Sequence, residues 1–288
     1  MRMFEGLMFV LFAGTASSVA AGADYPGEMP PADTPVIFAP GVVSVEGRFE
    51  YGLAISPAGD ELFFTAENPR GTEREGPTGL LVMRRSGDGS WSDPIKANLR
   101  GDGSWEQEAF YTVDGEELYF CSKVAEMEYK LWSTTRTPDG WGTPALLDSP
   151  ANDADIVFYA TFTRDGTMYY TSVKERMVRR ATRVGGGYPE IEDVAVPGGH
   201  AFAAPDGSFL LLDGKRDLWV AFSDGAGGWM EPVGLGETIC SESTETCPSL
   251  SPDGKYIFFS RYNEPGEIAN IYWVSSDILG RLKPEKNK

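Results

Sequence analysis

Three glutamates, Glu50, Glu106 and Glu245, each stand six residues ahead of a short turn phrase. The phrase occurs five times: Ser56-Pro57-Ala58-Gly59, Thr112-Val113-Asp114-Gly115, Thr163-Arg164-Asp165-Gly166, Ala204-Pro205-Asp206-Gly207 and Ser251-Pro252-Asp253-Gly254. Val157 and Gly198 hold the same position in the other two copies. Carboxylates gathered from separate segments need a cation, a basic side chain or a raised pKa. An oxygen-rich set suits calcium, although no motif demands a cofactor. Two carboxylates at the right separation suit the acid and base steps of glycoside hydrolysis. Basic partners follow further along the repeats: Lys123, Lys174 and Arg261, with Tyr262 beside the last. They would neutralise the glutamates or hold a ligand's own carboxylate. His200, the only histidine, sits at the matching region of the fourth copy, and Asp155 and Glu108 lie near in sequence. The same glutamates also suit a structural role, capping strand amides or lying in water at a rim.

Other templates are absent or incomplete. There is no Gly-x-Ser-x-Gly elbow. A single histidine rules out a multi-histidine metal site, and a triad through His200 has no serine specified for it. Cys240 and Cys247 bracket a six-residue loop and would pair as a disulfide in an oxidising compartment. Their spacing lacks the neighbouring His or Cys of a zinc motif. Cys121 aligns with Thr65, Thr171, Leu212 and Ser260 and reads as a small buried filler.

The elements that must position these residues follow from the phrase. Each copy precedes an apolar run, such as Leu62-Phe63-Phe64 or Ile257-Phe258-Phe259. Proline presets φ for a turn, and Asp-Gly supplies the positive-φ positions of a tight hairpin. A third apolar run follows, then Gly-rich turns leading to Trp91…Pro94, Trp141…Pro144, Tyr188-Pro189 and Trp229…Pro232. Proline at the start of a strand marks an edge. The repeat is therefore a unit of four short antiparallel strands, and the predicted fold is all-β, a five-bladed β-propeller. A β-sandwich is the alternative, though sandwiches do not normally repeat a turn phrase. The fifth unit runs out of chain before a fourth strand. Pro35-Val36-Ile37-Phe38 resembles the other fourth-strand starts, so the N-terminal strand is expected to close the last blade. The ligand-facing end should be the one opposite the phrases.

Ser251-Pro252-Asp253-Gly254-Lys255 followed by Tyr256-Ile257-Phe258-Phe259-Ser260 resembles the PD40 repeat, a WD40-like motif of the TolB-type propellers. The resemblance spans roughly residues 35–283. It implies a secreted or periplasmic propeller, often a binding module and sometimes a hydrolase or lyase. Independently, Arg2, the apolar stretch Leu7 to Ala13 and Ala21-Gly22-Ala23 read as a signal peptide over residues 1–23. Residues 24–34 read as a linker, 35–283 as the propeller and 284–288 as a tail. The apolar stretch is too short for stable membrane insertion. The net charge of −18 disfavours nucleic acid as a partner. The expected function is a periplasmic or extracellular binding module. Its ligand, a small molecule, glycan or protein segment, would sit at the channel mouth against Glu50, Glu106, Glu245, Arg261, Lys123 and His200. The alternative is a carbohydrate-active enzyme using the carboxylates as acid and base.

Overall fold

A computed structural model of the chain describes residues 25–26, 29–69, 72, 76–153, 156–173, 177–263 and 268–284. The expected signal peptide, Asp155 and Lys174 lie outside the described residues.

The phrases divide the chain into five antiparallel units. The first contains β2 (Phe49–Ile55), β3 (Glu61–Glu67), β4 (Gly79–Arg84) and β5 (Ile95–Lys96). The second contains β6 (Glu106–Tyr111), β7 (Glu117–Ala125), β8 (Glu128–Thr137), the two-residue β9 (Gly140–Trp141) and β10 (Ala145–Leu146). The third contains β11 (Val157–Phe162), β12 (Met168–Ser172), β13 (Met177–Val184) and β14 (Gly187–Asp193). The fourth contains β15 (Gly199–Ala203), β16 (Phe209–Gly214), β17 (Asp217–Phe222) and β18 (Val233–Gly234). The fifth contains β19 (Thr244–Leu250), β20 (Tyr256–Asn263) and β21 (Ile268–Ser275). The N-terminal strand β1 (Val36–Ile37) pairs antiparallel with β21, Val36 opposite Trp273 and Ile37 opposite Tyr272. One parallel bridge, Phe49 to Ala269, also joins β2 to β21. The only α-helix among the described residues is α1 (Asp277–Leu282), which buries Leu279 against the fifth unit. Among the described residues no helix is long and apolar enough to cross a membrane.

Each hairpin is built as its sequence dictates, with one difference. The phrase glycines have φ between +68° and +83°, and each N–H donates back to the first residue of its phrase. The residue before each glycine does not share the left-handed conformation. Where it is Asp, its carboxylate accepts hydrogen bonds instead, as when the Thr112 hydroxyl donates to Asp114 Oδ1 at 2.7 Å and the Ser251 hydroxyl to Asp253 Oδ1 at 2.7 Å. The loop is thus a turn ending in one left-handed glycine, not a two-residue turn with two positive-φ residues.

The second strands are almost fully buried. Phe63, Phe64, Phe120 and Leu211 are each 0% exposed. Burying such a side chain stabilises the fold by roughly 1.5–3 kcal/mol. The core is divided into clusters that lie between units as much as within them; one joins Phe63 and Tyr51 to Phe110 and Phe120. First strands lie side by side in sequence order, β2 against β6, β6 against β11, β11 against β15 and β15 against β19, and β19 lies against β2. The Ser249 hydroxyl donates to Leu53 O at 2.7 Å across the last of these junctions. Tyr25, inside the stretch read as a linker, is buried against Tyr256, Phe258 and Trp273.

Candidate functional site

All five first strands share a defect. The ladder to the second strand shifts register between Tyr51 and Ala54, Gln107 and Phe110, Phe158 and Thr161, Gly199 and Phe202, and Thr246 and Ser249. The residue inside each shift is left-handed: Gly52 at +63°, Glu108 at +50°, Tyr159 at +60°, His200 at +41° and Cys247 at +53°. These are the residues four positions ahead of each turn phrase. A left-handed residue in a strand is the mark of a bulge, which re-aims its side chain. Such strain in side chains as large as Tyr and His costs of order 1–3 kcal/mol each and persists only where the surroundings enforce it.

The enforcing contacts come from neighbouring units. Thr65 Oγ1 of the first unit accepts the Glu108 N–H at 2.9 Å, and Thr171 Oγ1 of the third accepts the His200 N–H at 2.9 Å. Tyr159 reaches from the third unit to the fifth, its hydroxyl donating to Pro248 O at 2.8 Å. Gly52 leaves room for its neighbour, since a Cβ there would stand 3.1 Å from Glu108 Cγ.

Glu108, His200 and Cys247 meet in the middle of this arrangement, with donor atoms within 4.8 Å of one another. Asp213, at the end of β16, organises them. Its Oδ2 receives His200 Nδ1 at 2.6 Å, the Cys247 N–H at 3.3 Å and the Thr246 hydroxyl. The other imidazole nitrogen, Nε2, faces Glu108 Oε1 at 3.9 Å. Phe158 stacks on the His200 ring at 4.8 Å, and Tyr159 meets it edge-on at 5.2 Å. Gly198 lets this junction form, because a Cβ there would stand 2.6 Å from Asp213 O.

Burial sets the electrostatics. It pushes the Glu108 carboxyl up to about 7, against the pull of His200. Burial opposes charge on His200, but Asp213 and Cys247 together hold its pKa well above the ordinary value. Burial likewise works against the Asp213 carboxylate, and His200 outweighs it, so Asp213 stays below the usual range. The Cys247 thiol is raised by burial, with His200 opposing. The pair is reachable from outside: His200 and Asp213 line a cleft of about 520 Å³ between the third and fourth units. Phe158, Trp219, Pro197 and Pro232 form its apolar walls, and Thr171, Lys215 and Glu231 add polar groups. It lies at the starts of first strands and the ends of second strands, opposite the turn phrases.

The glutamates six positions ahead of the phrases are placed differently. Glu50 Oε1 accepts the Arg48 Nε–H at 2.6 Å and the Val45 N–H at 3.1 Å. Glu106 accepts the Leu99 and Arg100 N–H groups at 2.9 and 2.7 Å. Glu245 accepts the Ser241 hydroxyl at 2.6 Å and the Arg261 Nε–H at 2.7 Å. Each carboxylate ties down the loop that leads into its own strand, the structural role the sequence also allowed. Arg261 is held by Glu245 and by Ile239 O at 2.6 Å, and Lys123 is exposed on β7. Of the residues singled out as ligand contacts, only His200 lies in the cluster.

Cys240 and Cys247 are free thiols, not a disulfide. They face different neighbours: Cys240 Sγ accepts the Leu218 N–H at 3.4 Å, while Cys247 turns into the bulge cluster. Cys121 is fully buried and donates to Val157 O at 3.3 Å, and burial holds its thiol well above the ordinary pKa. No offset ahead of a turn phrase singles out Asp213, which lies on β16 after its phrase. Counting four residues back from each phrase would have found Glu108, His200 and Cys247 together.

No family model matches the chain, and no curated protein sequence matches it. Solved structures do. A TolB candidate from Agrobacterium tumefaciens is 15% identical, with 80% of this chain and 78% of that one covered and a TM-score of 0.51. A protein of unknown function from Dyadobacter fermentans is 13% identical, with 83% and 96% covered and a TM-score of 0.50. At these identities the likeness concerns the fold alone, which is all-β and of the β-propeller type.

Proposed function

We propose that the chain is an exported five-bladed propeller of the PD40 kind, with β1 completing the fifth blade, that binds a small molecule or glycan. The ligand sits in the cleft between the third and fourth units, with the His200–Asp213 pair at its floor. The observation that carries this reading is that pair, fixed by a 2.6 Å contact and still partly exposed to a 520 Å³ cleft. Flat apolar walls with a few convergent polar groups are what a small-ligand site requires. Phe158 and Trp219 offer surfaces for the planar face of a sugar ring or aromatic ligand. His200, Asp213 and Lys215 offer hydrogen bonds at its edge. The likeness in fold to a TolB candidate supports the propeller scaffold, and the signal-like start of the sequence supports export to the periplasm or beyond.

A panel of mono- and oligosaccharides and small aromatic acids, read by thermal shift, tests the site. Binding to the folded state raises the melting temperature by mass action. At least one member should raise it, and both Trp219→Ala and His200→Gln should remove that shift. A binder whose shift survives both substitutions, or a panel with no binder, sinks the proposal.

A further inference from the structure

We infer that Glu108, His200 and Cys247 form a three-ligand site for a zinc-type transition-metal ion at the meeting point of the first strands. The three supply one oxygen, one imidazole nitrogen and one sulfur within 4.8 Å of one another. Thiolate and imidazole donors select zinc-type ions over calcium, which prefers six or more oxygens. Glu108 is 3% exposed, and its Oε2 has no hydrogen-bond partner. His200 Nε2 stands 3.9 Å from Glu108 Oε1, too far for a hydrogen bond. Two ligands of one tetrahedral zinc ion stand about 3.3 Å apart, given bond lengths near 2.0–2.1 Å. A shift of several tenths of an ångström would therefore let both reach one ion.

The surroundings match what such a site needs. Asp213 accepts the hydrogen bond of His200 Nδ1 and leaves Nε2 for the metal, the carboxylate–histidine arrangement that orients metal-binding imidazoles. The bulges place all three donors, and Gly52 leaves space beside Glu108. Coordination replaces the proton on Cys247 Sγ, and any proton on His200 Nε2, with the ion. Three protein ligands leave a fourth position for water or a ligand, as in catalytic rather than structural zinc sites. This inference deepens the proposed binding site through His200, but it stands on the donor geometry and not on the cleft having an occupant.

A second group of metal-type donors exists, Asp217, Cys240 and Glu245. There Glu245 already accepts Arg261 and Ser241, and Cys240 lies on the Leu218 main chain. The test separates the two. The chain is stripped with chelator, then titrated with zinc and, in parallel, with cobalt(II). Bound metal is counted by mass spectrometry, and thiolate ligation is read from the cobalt–sulfur charge-transfer band in the near ultraviolet. One ion per chain should bind in the presence of millimolar calcium and magnesium. The cobalt band should vanish in Cys247→Ser and persist in Cys240→Ser and Cys121→Ser. Glu108→Gln should weaken zinc binding by tenfold or more while the variant melts cooperatively. No stoichiometric zinc in wild type, a band that survives Cys247→Ser, or a band lost with Cys240→Ser each overturns the site. The saccharide panel reads the cleft separately, so failure there is distinguishable from failure here.

Discussion

At the scale of single residues, the chain uses buried acids in two ways. Glu50 is fully buried and binds its own loop, yet burial pushes its carboxyl up to about 7 in spite of Arg48. The folded state therefore binds a proton more tightly than the unfolded state, whose glutamate titrates near 4.5. Stability from this proton is complete below pH about 4.5 and is lost as the pH rises through about 7, on the order of 3 kcal/mol in all. Glutamine does not titrate. The melting temperature of wild type relative to Glu50→Gln should therefore fall between pH 5 and pH 8. A difference that is flat or grows with pH contradicts this assignment. Glu108 is also raised to about 7 by burial, but it has no arginine and faces His200. The two acids are alike in residue type and burial, and their offsets from a phrase, six and four, give them different partners.

At the scale of the strand, the bulge is the device that makes the site. Glycine at the bulge of the first unit has two jobs, the left-handed φ and the space for Glu108. The turn glycine Gly59 has only the first, with nothing within 4 Å of a built Cβ. Gly59→Ala should thus cost about 1 kcal/mol of backbone strain. Gly52→Ala should cost measurably more, roughly 2–3 kcal/mol, because the added methyl group presses on Glu108. Urea denaturation of both variants measures the difference, and equal losses would mean that Glu108 is not packed over Gly52. The four-strand repeat behind these bulges was legible in the sequence, since turn phrases and apolar runs are local signals. The bulges were not, because non-glycine residues in the left-handed region carry no sequence mark of their own.

At the scale of the whole molecule, the N-terminal strand decides whether the fifth unit is complete. Phe38 follows β1, is 0% exposed and stacks edge-on against Phe258 and Trp273 at 5.1 and 5.4 Å. Its N–H donates to Ile271 O at 2.8 Å. If this segment closes a propeller, Phe38→Ala should destabilise the entire fold by about 3–5 kcal/mol in one cooperative transition. Loss of protection confined to β21, with the other units unchanged in hydrogen exchange, would show that the segment is an appendage. The charge of −18 makes the molecule strongly acidic as a whole, with ion pairs such as Arg48–Glu50, Arg183–Glu117 and Arg261–Glu245 offsetting it locally.

The sequence by itself determined the repeat, its hairpins and the strand that pairs with β21, because turn chemistry and apolar alternation act over a few residues. It also pointed to the starts of the first strands, where the Glu108, His200 and Cys247 side chains cluster. Only the tertiary structure decided which column of those strands meets in the middle. Residues six and four positions ahead of a phrase differ by two, so in a regular strand they would share one face. The bulge breaks that alternation, leaving Glu50, Glu106 and Glu245 to their loops and turning Glu108, His200 and Cys247 toward one another. That turn is enforced by hydrogen bonds that their N–H groups donate to Thr65 Oγ1, Thr171 Oγ1 and Asp213 Oδ2 in neighbouring strands, contacts that do not exist until the units pack.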